Sequence, residues 1–239
     1  MFKDFVYDVE DPMQVSFQSH LKNIYLKLTI AMLITAVTSI FLYRLIGTGS
    51  YLEEILFNPF SMIVVGILEL MLAVVFKPLV MKVKPIVAEV LLYLYSFLTG
   101  ISFSTIFIVY DIGVIATAFI FTAVLFGCCS IIGYSTHIDL SKIGGLLFVG
   151  LITLLLLSVA SIFIPILRDS LLISYLGVII FLLYTAYDVQ IIRNMYESTK
   201  YNYELSDKFA SYGAFQLYID FINLFLKILQ IFARSKSEK

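Results

Sequence analysis

Charge is what this chain has least of. Asp, Glu, Lys and Arg make up 14% of its 239 residues, where a soluble globular domain carries about 25%. Hydrophobic residues make up 61%, and mean hydropathy is +0.99. A multi-pass integral membrane protein, with the lipid bilayer as its first partner, is therefore expected. The net charge of −1 gives no basic field for nucleic acid. Cysteine is scarce too. Cys128 and Cys129 are adjacent and inside an apolar run. That spacing makes neither a disulfide framework nor a zinc site, so both are read as small buried packing residues. Tryptophan is absent. This argues against a retinal pocket, although Lys227 stands in the last apolar run and Asp220 lies about 10 Å from it along a helix.

Recognisable catalytic patterns are missing as well. No Gly-rich phosphate loop and no Ser/His/Asp constellation stands out, and neither an enzyme nor a bound cofactor is expected. The opening MFKDFVYDVEDP is mixed and acidic, so it does not read as a cleaved signal peptide. Neither end carries a lipidation motif.

What is present is a series of seven apolar runs, each near the length that crosses a bilayer, about 20 residues. They span approximately 23–46, 60–76, 86–109, 113–132, 143–164, 171–192 and 212–232. This predicts an all-α fold. Residues 1–22 form a polar lead, 23–233 the seven-helix domain and 234–239 a basic tail. Where the lead meets the first run, FQSHLKNIYLKL is weakly amphipathic and is expected to lie along the membrane surface. Lys27, near the start of the first run, is expected to snorkel to the headgroups. Pro78 and Pro85 are expected to break helix around a basic connection holding Lys77, Lys82 and Lys84. Ser96, Gly100 and Ser104 form a small-xxx-small row that admits a close neighbour. Glu89 reads as an interfacial charge and His137 as a solvated loop residue. The fourth run, rich in Ala, Gly and Thr, reads as interior packing, and the fifth as the most lipid-facing. Residues 193–211 read as a long charged loop.

Orientation follows from the distribution of basic residues. With seven spans and the N-terminus inside, the inner segments hold Lys3, Lys22, Lys77, Lys82, Lys84, Lys142, Arg193, Lys200 and Lys208. The outer loops hold Arg44 and Arg168. The basic tail then falls outside, against the rule. A re-entrant last segment would repair this, but its length favours a full span.

That last run, YGAFQLYIDFINLFLKILQIF, carries a polar seam. Gly213, Gln216, Asp220, Asn223, Lys227, Gln230 and Arg234 recur in steps of three and four, which puts them on one helical face. A carboxylate facing lipid costs on the order of 2.5–3.5 kcal/mol or more. The seam should therefore turn inward, with the last helix central, wrapped by the other six and supported along the seam by Gln216, Asn223 and Lys227. Two further acids, Glu69 and Asp188, fall inside apolar runs. Counted from the ends of those runs, all three lie in the inner half of the membrane. Asp188 and Asp220 sit on consecutive antiparallel spans and are expected to meet. Two close carboxylates in low dielectric cannot both ionise cheaply, so such a pair shares a proton and titrates as a unit. Unprotonated, it offers the hard oxygen ligands that suit Ca²⁺. Glu69 is expected to face the same cavity.

Three blocks, FLTGISFSTIFIVY, LLYTAYDVQIIRN and LYIDFINLFLKILQIF, resemble the third, sixth and seventh spans of the transmembrane Bax inhibitor motif family. The last two are specific, each placing its Asp in matching context, and the resemblance covers roughly Leu21 to Ala233. It implies a seven-span fold about the last helix and a pH-sensitive Ca²⁺ leak, with Ca²⁺ at Asp188 and Asp220. It also implies a buried acid at Glu69. The family's eukaryotic members suppress cell death and lower stored Ca²⁺, and its bacterial members sit in the cytoplasmic membrane. The short lead and loops here resemble the bacterial type. In some members an arginine near the second span latches the paired acids. This chain has only Lys77, Lys82 and Lys84 there, each a point charge rather than a fork.

Two other readings use the same acids. An intramembrane aspartyl protease pairs Tyr-Asp, as in Tyr187-Asp188, with Gly-x-Gly-Asp. Here the second half reads Leu217-Tyr218-Ile219-Asp220, and no Pro-Ala-Leu motif follows. A Ca²⁺/H⁺ exchanger would couple the flux to a counter-moving proton. Inverted repeats would favour it, but the two groups of three spans show no convincing repeat. Protein partners are not indicated.

Overall fold

The computed structural model describes residues 17–48, 51–164, 167 and 170–237. The acidic lead through residue 16, the loop residues Pro165, Arg168 and Asp169, and residues 238–239 lie outside the described residues. All regular structure among the described residues is helical: α1 (Phe17–Tyr43), α2 (Tyr51–Leu56), α3 (Pro59–Lys82), α4 (Pro85–Ser104), α5 (Ile106–Val109), α6 (Ile112–Ser135), a 3₁₀ turn (Leu140–Ile143), α7 (Gly144–Phe163), α8 (Leu171–Thr199) and α9 (Tyr203–Ser237). Seven helical stretches are long and apolar enough to cross a membrane: α1, α3, α4 with α5, α6, the 3₁₀ turn with α7, α8 and α9. A helix that makes all its backbone hydrogen bonds internally is the economical way to do so.

Local chemistry fixes most of the boundaries. Asn58 caps α3, its side chain accepting a hydrogen bond from the Ser61 N–H at 2.8 Å, and Pro59 opens the helix. Pro85 opens α4 in the same way. Asp111 caps α6 by accepting from the Gly113 N–H at 2.8 Å. That bond, followed by the nearby Lys236 ammonium, holds the Asp111 carboxyl below its ordinary range. Asn202 accepts from the Leu205 N–H at 3.0 Å where α9 begins. Gly47, with φ of +83°, reverses the chain after α1 in a conformation other residues avoid.

The helix ends depart from the apolar runs. Residues 193–211 are not a long loop. α8 continues to Thr199 and α9 starts at Tyr203, and the pairs Lys200–Glu197 (3.0 Å) and Lys208–Glu204 (2.8 Å), each spaced one helical turn apart, add to these ends. Pro78 does not break α3, which runs through it to Lys82. α1 already includes Phe17–Lys22, so FQSHLKNIYLKL stands in the bundle rather than along its surface. α9 is continuous over 35 residues, with no break at which a re-entrant hairpin could turn.

α9 packs against α8, α1, α6, α4 and α3, while α7 packs on α8. Half of the apolar window of α9 is buried, 50%, against 11% for α3 and for the span ending in α7. The core lies along it: Ala214, Phe215, Leu217, Tyr218, Phe221 and Leu224 are almost entirely enclosed. The Phe215 ring stacks on Phe76 at 3.7 Å, and the Tyr218 hydroxyl lies 2.6 Å from Thr35 Oγ1. The small-residue row of α4 does admit a neighbour. Ser39 Oγ donates to the Gly100 carbonyl at 3.0 Å and Thr35 Oγ1 to that of Ser96 at 2.9 Å. A Cβ on Gly100 would meet Thr38 at 2.6 Å. α6 is less interior than expected. It buries only the stripe Ala118, Thr122, Phe126, Ser130 and Gly133 and turns Ile120, Val124 and Ile131 outward. One of its small residues, Gly133, lies against the Ala186 backbone. Cys128 is exposed rather than buried, since it falls off that stripe.

Candidate functional site at the α8–α9 seam

The polar face of α9 turns toward α8. Gly213 lies against Ile192, and Lys227 lies across Gly177. Ser174 Oγ donates to Gln230 Oε1 at 3.1 Å. Between these contacts Asp188 and Asp220 meet. They are 5% and 4% exposed, and their carboxyl groups lie close enough to interact directly. A hydrogen bond between two carboxyls requires a proton on one of them, so the two can bond to each other only by sharing one. Oδ2 of Asp220 has no hydrogen-bond partner among the described residues.

The pair lines a cavity of about 330 Å³ together with Ala73, Val74 and Lys77 of α3, Leu151 of α7, Phe181 and Tyr184 of α8, and Tyr212, Phe215, Gln216 and Ile219 of α9. Apolar walls carry a few convergent polar groups there, the usual composition of a ligand site. A second cavity, between α1, α4, α5, α6 and α9, is lined by Met32, Phe103, Phe119 and Phe225 among others and has no titratable group.

Of the three lysines, only Lys77 lines the aspartate cavity, with its Nζ 5.4 Å from the centroid of the Tyr212 ring. Lys82 ends α3. Lys84 precedes α4 and lines a different cavity with Glu89, Glu204 and Asp207. Glu69 is not in the aspartate cavity. Its Oε1 accepts a hydrogen bond from Ser102 Oγ of α4 at 2.9 Å. Glu69 stands one turn from Ala73, which does line that cavity, and its side chain meets α4 instead. Asn223 donates to the Ile219 carbonyl of its own helix at 2.9 Å, so this part of the seam is satisfied locally.

A second polar centre escaped the sequence reading. Lys27 is 3% exposed and does not snorkel. Its Nζ lies 2.7 Å from Glu89 Oε2 of α4 and 3.0 Å from Asp207 Oδ1 of α9, and it donates to Ser211 Oγ at 3.1 Å. Tyr93 donates to Glu89 at 2.8 Å and Asn23 to Asp207 at 3.0 Å. His20 Nδ1 lies 3.1 Å from Ser206 Oγ. Lys27 reaches inward because α1 presents His20, Ile24, Lys27, Ala31, Thr35 and Ser39 as one buried stripe. That helical spacing was the available signal. His137 is exposed, as expected.

The fold and site define a seven-span membrane protein with paired acids, one of them on its most buried helix. Residues 17–237 match the family model described as inhibitor of apoptosis-promoting Bax1, and the chain belongs to that family. It is similar to the inner membrane protein YbhL of Escherichia coli, at 35% identity over 93% of this chain and 94% of that one. It is also similar to an uncharacterized protein of Borreliella burgdorferi, at 33% identity over 91% and 93%. A third relative, an uncharacterized membrane protein of Streptococcus pyogenes, is 33% identical over 81% and 91%.

Proposed function

We propose that the protein is a pH-sensitive Ca²⁺ leak channel of a bacterial cytoplasmic membrane, with its N-terminus inside. The reading rests chiefly on the buried Asp188–Asp220 pair, which lines a cavity of mixed polarity. Similarity to an inner membrane protein supports the location, and the basic inner segments support the orientation. The pair is both the proton sensor and the Ca²⁺ ligand. No cofactor and no enzymatic step are needed.

The chemistry predicts a bell-shaped dependence on pH. With both acids protonated, the pair is neutral and binds Ca²⁺ poorly. With both ionised, two charges in a poorly solvated site hold Ca²⁺ too firmly to release it, or draw Lys77 across the path. Conduction needs binding that permits both entry and exit, and the singly protonated pair meets both needs. Ca²⁺ uptake into proteoliposomes over a pH series, with and without an imposed proton gradient, tests this. A maximum at intermediate pH that is indifferent to the gradient is expected. Flux that rises steadily with pH would remove the shared proton from the mechanism. Flux driven by the gradient would make the protein a Ca²⁺/H⁺ exchanger.

A further inference from the structure

Two buried oxygens of the aspartate cavity lack a hydrogen-bond partner among the described residues: Oδ2 of Asp220 and Oε1 of Gln216. Both residues line that one cavity, as does Asp188. They are one turn apart on α9, about 6 Å along its axis. The other seam amides differ. Asn223 bonds its own helix and Gln230 accepts from Ser174. Leaving a buried amide oxygen unpaired is costly, so Gln216 is a poor choice for a purely structural position.

The donor set explains the choice. Among the described residues no three His, Cys, Asp or Glu side chains converge as a metal cluster. A cation at the pair therefore meets two acidic residues, whereas Ca²⁺ takes about six to eight oxygens. Neutral oxygens must complete the shell. We propose that Gln216 is a direct ligand of the conducted cation, its Oε1 standing beside Asp188 and Asp220 as a neutral third oxygen. A third carboxylate would add affinity at the expense of release. An amide adds an oxygen without a charge, which suits a site that must let its ion go. This inference rests on the Ca²⁺ leak reading and adds a residue that governs the ion's affinity.

The test uses the full chain, with Ca²⁺ itself as probe. Initial uptake into proteoliposomes is measured against Ca²⁺ concentration, and Ca²⁺ binding is titrated calorimetrically in detergent. Gln216→Leu keeps the bulk, removes the oxygen and favours membrane insertion. Circular dichroism and gel filtration confirm its fold. The half-saturating Ca²⁺ concentration should rise about tenfold in both assays, with the pH of maximal flux unmoved. Gln216→Glu should bind more tightly and conduct more slowly. The proposal is overturned if Gln216→Leu leaves half-saturation unchanged, or if it lowers maximal flux and moves the pH maximum without changing Ca²⁺ binding. The latter result would mean that Gln216 acts through helix packing. The underlying reading fails separately: if Asp220→Asn conducts and binds Ca²⁺ like the wild type, the pair is not the site.

Discussion

Replacing Lys27 by Met isolates the polar centre that joins α1, α4 and α9. The side chains are similar in length, so packing is nearly kept while one cation is lost. With it go the ion pairs to Glu89 at 2.7 Å and Asp207 at 3.0 Å, and the hydrogen bond to Ser211 at 3.1 Å. Removing one partner of a fully buried pair costs about 3–5 kcal/mol, mostly because the other charge is stranded. Here the acids are not fully buried. Their side chains are 28% and 39% exposed, against 4% for the lysine, so water takes up part of the stranded charge. Met also returns some apolar burial. A net loss of about 2 kcal/mol is expected, or about 4–8 °C in melting temperature for a chain of this size. Circular dichroism in detergent is the suitable probe, since the chain has no tryptophan. Adding Glu89→Gln and Asp207→Asn to Lys27→Met should recover most of the loss, because the stranded charges go too. A Lys27→Met protein that melts within about 1 °C of wild type, or a triple variant whose losses simply add, would refute the ion-pair account.

Four further outcomes follow from the geometry. Asp188→Asn and Asp220→Asn should each abolish the pH maximum of Ca²⁺ flux, and the double variant should add little to either, since the two share one proton; additive effects would mean independent groups. Lys77→Gln should raise flux on the alkaline side only, while Lys82→Gln and Lys84→Gln, outside the aspartate cavity, should leave the pH profile as it is. Glu69→Gln keeps an acceptor for Ser102 and should change flux less than about twofold, well under the effect of a lost hydrogen bond, and a larger change in proteoliposome uptake would return Glu69 to the pathway. Asp111 stabilises the start of α6 through a carboxylate held below its ordinary range. That stabilisation is present in full above the ordinary carboxylate range, and it is lost as pH falls through the lowered value. Asp111→Ala should therefore lower the melting temperature at neutral pH and be nearly silent in strong acid, which melts at several pH values would check.

The seven spans were legible because a bilayer imposes a length and forbids charge over it, and both are properties of a linear string. The seam of α9 was legible because helical period converts spacing into a face: Gly213, Asp220 and Lys227 do share one, and it does meet α8. The pairing of Asp188 with Asp220 followed from two consecutive antiparallel helices, a contact that connectivity nearly guarantees. Helix ends were less legible. Apolar runs mark where a helix enters lipid, whereas α3, α8 and α9 continue beyond it on local charge pairs and backbone geometry. Glu69, expected in the aspartate cavity, meets Ser102 of α4 instead. Tertiary structure alone decided which lysine meets which acid. Successive residues of a helix point about 100° apart, so a rotation too small to leave any trace in the apolar pattern decides a partner. Lys27 finds acids on α4 and α9, helices distant in sequence, and Lys77 rather than Lys82 lines the cavity of the aspartates. Such contacts depend on how three helices are turned about their axes, which is fixed only when they pack.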